Sequence, residues 1–332
     1  MKKIFPFLII AALNGCQSDS KYINAISVER VDSALDSIIT APLKPEIIAK
    51  GMKWSEGPLW VEQNKMLLFS DVPRNTIYKW TEEKGKEVYL TPSGYTGTVA
   101  RGGETGSNGL LLDKDNNLVL CQHGNRQMAR MDTPLDKPGA KFISIANSYN
   151  GKKFNSPNDA VYNSAGELFF TDPAWGLEKK MDDPAKEIPY QGVYKVKTNG
   201  EIVLIADSIE SPNGIAFLPG EKTLLVSNTS PGKPNWYAFE LGNSDTVISS
   251  RIFYSAAGYD KSSKGLPDGM KVDKSGNLFA TGPGGVWIFN SSGKLLGKIN
   301  LGKACSNIAL SPDDKTMYVT NDMYVLRIKM RQ

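Results

Sequence analysis

Ser211-Pro212-Asn213-Gly214-Ile215-Ala216-Phe217, followed by Pro219-Gly220-Glu221 and Leu224-Leu225-Val226-Ser227, reads as a polar loop residue, an apolar strand, a tight turn and a second apolar strand. The same phrase recurs along the chain. Before it stand Glu56-Gly57 with Leu67-Leu68-Phe69-Ser70, Asn108-Gly109 with Leu118-Val119-Leu120-Cys121, and Asn158-Asp159 with Leu168-Phe169-Phe170-Thr171. After it stand Asp268-Gly269 with Leu278-Phe279-Ala280-Thr281, and Asn307-Ile308 with Met317-Tyr318-Val319-Thr320. Copies follow one another roughly every 40–55 residues, the period of propeller blades. Six copies predict an all-β, six-bladed propeller.

The repeats run through nearly all of the 332 residues, so one closed domain is expected rather than two. Hydrophobic content of 40% and charged content of 22% are those of a globular protein. A net charge of +4 without a Lys/Arg run gives no support to nucleic acid as a partner.

The N-terminus reads differently. Lys2 and Lys3 precede the apolar run Ile4–Leu13, which ends in Leu13-Asn14-Gly15-Cys16. That is a secretion signal, too short for a spanning helix, and its ending resembles a bacterial lipoprotein signal with Cys16 lipidated. An ordinary cleaved signal with an incidental cysteine is the alternative. The expected organisation is a signal over 1–16, a tether over 17–43 and the propeller over 44–332. The protein is then exported and lipid-anchored in a bacterial cell envelope. Cys121 and Cys305 fall in the second and sixth repeats and are read as buried, inert thiols.

Strand–turn signals place blade one over 54–90, blade two over 108–145, and blade three from Asn158 with an insertion over 178–191. Blades four, five and six open at Asn213, Asp268 and Asn307. The early strand Pro45–Lys50 is expected to complete blade six beside Val325–Ile328, because closure removes exposed edges. A Gly-rich stretch over 94–107 lacks the flanking strand and helix of a phosphate loop. It and the insertion are candidate walls of a pocket.

Blades are related by rotation about one axis, so Glu56, Asn108, Asn158, Asn213, Asp268 and Asn307 should converge at one mouth of the central channel. The residues ending the second strands, Asp71, Gln122, Asp172, Asn228, Gly282 and Asn321, are expected at the same face as a second ring. Two carboxylates brought together inside a protein repel, and a hard divalent cation relieves that. Ca²⁺ takes carboxylate and amide oxygens and leads the choice, with Mg²⁺, Mn²⁺ or Zn²⁺ as alternatives. Zinc fits poorly, for the chain has one histidine and no cysteine pair at metal spacing. The competing reading is that Asn-Gly and Asp-Gly are simply turn formers.

Ser55-Glu56-Gly57-Pro58, Ser156-Pro157-Asn158-Asp159, Ser211-Pro212-Asn213-Gly214 and Leu266-Pro267-Asp268-Gly269-Met270 resemble signatures of the senescence marker protein/gluconolactonase/luciferin-regenerating-enzyme family. Cys121–Arg126 and Phe170–Pro173 resemble further stretches of its bacterial gluconolactonase-like members. The resemblance implies a six-bladed propeller with a divalent metal at the channel mouth. It implies metal ligation by Glu56, Asn158, Asn213 and Asp268, with no direct ligand from blades two and six. It also implies hydrolysis of a sugar lactone, with Asp268 at the family's catalytic acid/base position. Ala174-Trp175 departs from the family, where Pro followed by Tyr is expected, and this bears on substrate fit.

Lactone hydrolysis needs an activated water and a polarised carbonyl. Asp268 is the expected base, with Glu56 as the alternative, and His123 is read as a proton shuttle or, more plainly, a structural imidazole. Asn108, Arg126, Asp172 and Trp175 are the candidate substrate contacts, Asp172 and Asp159 also orienting ligands. A non-catalytic carbohydrate-binding or interaction propeller with a structural Ca²⁺ is the competing reading. A phosphotriester hydrolase is a third.

Overall fold

Apolar runs such as Met66–Asp71 and Leu118–Gln122 bury every residue, as the second strand of a sheet packed on both faces must. The computed structural model describes residues 26–40, 42–242 and 246–331. Within them six antiparallel sheets form a six-bladed β-propeller. The innermost strands are Ser55–Val61, Ser107–Leu112, Ala160–Tyr162, Pro212–Phe217, Met270–Val272 and Cys305–Leu310. Short 3₁₀ turns, such as Glu62–Asn64 and Lys180–Asp182, are the helical content of the described residues.

The core is six cores. One apolar cluster fills each gap between neighbouring blades, such as Leu68, Ile77, Leu110 and Leu120 between blades one and two. Phe169, Val193, Leu224 and Val226 do the same between three and four. Stability therefore depends on every blade having two neighbours, which requires the ring to close.

Closure is made as the sequence predicts. Glu46–Lys50 pairs antiparallel with Tyr324–Lys329, Glu46 opposite Arg327 and Lys50 opposite Tyr324. Arg327 Nε lies 2.9 Å from Glu46 Oε2, and the same guanidinium reaches Glu82 of blade one. The cluster of Ala49, Leu67, Phe69, Tyr318 and Val325 then joins blade six to blade one.

The segment before this strand departs from expectation. From Ile26 on, the described residues of the stretch assigned to a tether are part of the fold. Ser27–Arg30 adds a fifth strand to blade five, pairing with Leu295–Asn300, and a 3₁₀ turn follows at Ser33–Ser37. Leu35, Ile38, Ile39 and Leu43 are buried in the cluster between blades five and six. Apolar residues too sparse to look like an element are enough to cap an existing groove. The expected signal and lipidated cysteine lie outside the described residues.

Leu35→Ala removes a fully buried side chain from that cap and is expected to cost about 2–4 kcal/mol. Urea unfolding of the variant beside the parent chain checks this. A loss within ~0.5 kcal/mol, the range of an exposed site, would contradict the packing.

Candidate active site at the channel mouth

Three local devices bring the repeated polar residues to the axis. The first is a register shift at the start of the inner strand, between Glu56 and Leu59, Ser107 and Leu110, Pro212 and Ile215, and Cys305 and Asn307. An extra residue here re-aims a side chain. The second is the glycine after the ring residue. A Cβ on Gly214 would stand 2.3 Å from the Asp268 carbonyl oxygen, and one on Gly269 would stand 2.1 Å from the Asn307 amide carbon. The Asn-Gly and Asp-Gly pairs thus serve close approach of neighbouring blades, not a turn.

The third device is the hydroxyl one place before the end of the second strand. Ser70 donates to the Asn108 carbonyl at 2.9 Å, Thr171 to Asn213 at 2.6 Å and Ser227 to Asp268 at 2.8 Å. Blades one, three and four so fix the backbone of the next blade's ring residue, and in blade five Thr281 donates to the carbonyl of Ser306, one place before the ring residue, at 3.2 Å. At Cys121, where the hydroxyl is missing, the Gly109 N–H donates to the Asn158 carbonyl at 2.8 Å instead.

At the axis the ring is short of positive charge. Glu56 is buried, and its Oε2 accepts the Gly57 N–H at 3.1 Å. Asp268 is half-buried, and its Oδ1 is enclosed without a partner. Burial pushes the Glu56 carboxyl up to about 8 and Asp268 well above its ordinary range, and the negative charges of Asp159 and Glu104 push both the same way. Asn108 Oδ1 is likewise buried and without a partner. Asn307 is different. Its Oδ1 accepts the Ile308 N–H at 2.8 Å and its Nδ2 faces Asp159 Oδ2 at 3.3 Å, so blade six contributes no oxygen to the axis. Among the described residues no three His, Cys, Asp or Glu side chains are gathered at metal-binding range.

The profile of the SMP-30/gluconolactonase/LRE-like region matches residues 54–322, and these hold all six ring positions. The chain belongs to this family. It is 34% identical over 310 residues to the gluconolactonase of Zymomonas mobilis, covering 92% of this chain and 86% of that one. Against the pentonolactonase of Haloferax volcanii it is 21% identical over 282 residues, 82% of this chain and 83% of the relative. A solved gluconolactonase from Xanthomonas campestris superposes with a TM-score of 0.79 at 28% identity, over 93% of this chain and 97% of that one. The protein is thus an enzyme of the gluconolactonase/lactonase-like hydrolases.

Against this family's ring, the expected outer ring proves to be scaffolding. Asp172 is fully buried, and it accepts the Asn155 and Ser156 N–H groups at 2.8 Å each. Burial raises its pKa to about 7. Asp71 accepts the Lys53 N–H, and Asn228 Oδ1 accepts that of Ser211 at 2.9 Å. These side chains clamp the loops that deliver ring residues. Asp172 is therefore no substrate contact. Nor is Arg126, whose guanidinium donates to the carbonyls of Phe154 at 2.6 Å and Ala185 at 2.8 Å, fastening the insertion to blade two. Trp175 is half-buried, with the Lys180 ammonium 4.4 Å from its ring centre.

His123 is fully buried, with Nε2 3.4 Å from Asn158 Nδ2 and Nδ1 3.3 Å from Glu104 Oε2. It stands behind the ring. Three charged residues near the ring had no individual signal in the sequence. Glu104 and Arg101 come from the Gly-rich stretch, where Arg101 donates to the carbonyls of Gly124 and Gly176 at 2.6 Å each. Lys271, three residues after Asp268, places its ammonium 3.9 Å from Asp159.

Proposed function

We propose that the protein is a divalent-cation-dependent lactonase that opens sugar lactones to hydroxy acids. The observation that supports this most is the pairing of Glu56 and Asp268, two carboxylates whose nearest charged neighbours are also negative. The unpartnered Oδ1 of Asp268, beside the Glu56 carboxylate and the amides of Asn158 and Asn213, offers an all-oxygen donor set, which suits Ca²⁺ better than a nitrogen- or sulfur-seeking metal. Glu56, Asn158, Asn213 and Asp268 would hold the ion, with Ca²⁺ preferred. Bound there, it supplies Lewis-acid polarisation of the lactone carbonyl.

The chain's own groups do the rest. Asp268 takes a proton from the attacking water, its Oδ1 being free of any partner in the protein. The water oxygen bonds to the acyl carbon, the ring ester C–O bond breaks, and the leaving alkoxide takes up the proton that Asp268 removed from the water, which restores the carboxylate. Asn108 Oδ1 accepts a substrate hydroxyl, as a buried acceptor without a partner must be satisfied. Trp175 and the Gly-rich stretch held by Arg101 form one wall. Arg126 and Asp172 hold that wall and its loops in place, and touch no substrate.

The gluconolactonase and pentonolactonase relatives support a sugar lactone as the substrate class. Export to a cell envelope on a lipid anchor belongs to the same proposal and rests on Lys2–Cys16. A pH-stat assay of gluconolactone, corrected for spontaneous opening, tests the activity. Turnover is expected, is lost with a chelator and returns with Ca²⁺. No turnover from folded, cation-loaded protein would overturn the lactonase reading.

A further inference from the structure

The clearest arrangement not used by that mechanism is the line from Glu104 through His123 to Asn158. It can be read from its unambiguous end. A carboxylate only accepts, so Glu104 Oε2, 3.3 Å from His123 Nδ1, favours the tautomer with its proton on Nδ1. The contact is a charge–dipole one, for Nδ1 has no aligned acceptor. The reverse tautomer would place a buried lone pair against a negative charge. With the proton on Nδ1, Nε2 must accept, and the group facing it at 3.4 Å is the Asn158 amide. The amide therefore turns its Nδ2 to His123 and its Oδ1 to the opposite side.

The imidazole cannot drift out of this line. His123 is fully buried and its backbone N–H donates to the Gly106 carbonyl at 3.1 Å. A Cβ on Gly176 would stand 2.7 Å from His123 Cβ, so the backbone just before the insertion lies directly on it. Asn158 is anchored too, its backbone N–H donating to the Thr171 carbonyl at 2.8 Å. The one free variable is which way the amide faces, and an amide facing the axis with its NH₂ group would repel a cation.

We infer that Glu104 and His123 are positioning residues that set the Asn158 amide, through the imidazole tautomer, so that its oxygen faces the cation at the channel mouth. The inference rests on the cation reading above. It assigns the lone histidine a role different from proton shuttling, and it gives Glu104 a function that leaves it out of the coordination shell. Outer partners of this kind commonly change metal affinity by about 10–100-fold.

Because the chain has a single histidine, ¹⁵N-histidine labelling gives one imidazole pattern. Long-range ¹H–¹⁵N spectra at about pH 8, above the ordinary imidazole range, should show Nδ1 protonated and Nε2 as acceptor. Titration calorimetry of the whole protein with Ca²⁺, and separately with Mn²⁺, supplies the second readout. Glu104→Gln is expected to weaken binding by about 10-fold or more and to shift the tautomer toward Nε2–H, with Glu104→Asp recovering part of both. Glu104 lies on a partly exposed stretch, so its variants should fold even where His123→Phe does not. A protonated Nε2 in the parent, or unchanged affinity in Glu104→Gln, overturns the inference while leaving cation binding intact. A parent protein that takes up neither ion overturns the cation reading, and the inference with it.

Discussion

Asp268→Asn is expected to lower kcat for lactone opening by about 10²–10⁴-fold, the range of a positioned general base, while KM changes much less. The substitution keeps an oxygen at the axis and keeps the shape of the side chain. It removes the acceptor for the water's proton and one of the two buried charges. Cation affinity should fall as well, because ligand charge sets much of the affinity at an oxygen site. Turnover is therefore to be compared at saturating Ca²⁺, with occupancy measured by calorimetry. The fold should survive, and in cation-free protein it should gain stability, since the unfavourable neighbour of Glu56 is gone. Turnover within a few-fold of the parent at full occupancy would move the base elsewhere, with Glu56 the first candidate.

The ring itself was legible because it is repeated. Six equivalent positions carry one geometric role, and a propeller converts equivalence in sequence into convergence in space. Closure by Glu46–Lys50 was legible for the same reason, one blade being a strand short. What the sequence misassigned lies off the repeat or plays two roles within it. Asp172 ends a second strand facing the mouth, yet its oxygens are taken by the backbone of its own blade's entry loop. Polarity alone does not say whether a carboxylate faces water or N–H groups. Arg126 has a positive φ of 60° and turns its guanidinium toward the insertion, which spacing could not foretell. Glu104 and Lys271 have no counterpart to mark them, and Leu35 sits in a segment whose apolar residues follow neither period. The Asn-Gly and Asp-Gly pairs gave the right positions for a reason other than turn formation. The glycine is needed because the next blade's ring residue passes within about one atom's width.

The second large effect is a linkage of stability to pH and cation. In the cation-free protein, Glu56 is raised from 4.5 to about 8 and Asp268 is raised with it, burial being the main cause in both. Between about pH 4.5 and 8 the folded chain then holds protons that the unfolded chain has released. Stability must fall as pH rises across that window. The stabilising share is fully present below the unfolded values and is lost as pH climbs through the folded ones. A few kcal/mol is the scale, since each tenfold difference in proton affinity between the folded and unfolded chain is worth about 1.4 kcal/mol, and that corresponds to a fall of order 5–10 °C in Tm. Asp172, also raised, contributes in the same direction with or without an ion, so the cation-dependent part isolates Glu56 and Asp268. A bound Ca²⁺ requires both carboxylates ionised and competes with their protons. Its stabilisation, about 2.7 kcal/mol at a hundredfold excess over Kd, should therefore be larger at pH 8 than at pH 5. Scanning calorimetry at both pH values, with chelator and with Ca²⁺, gives four melting temperatures per protein. Glu56→Gln should flatten the cation-free profile and shrink the gain from Ca²⁺, because the buried charge and a ligand leave together. A cation-free Tm that holds or rises from pH 5 to 8, with equal gain from Ca²⁺ at both, would mean that these carboxylates are already neutralised by some other group of the protein.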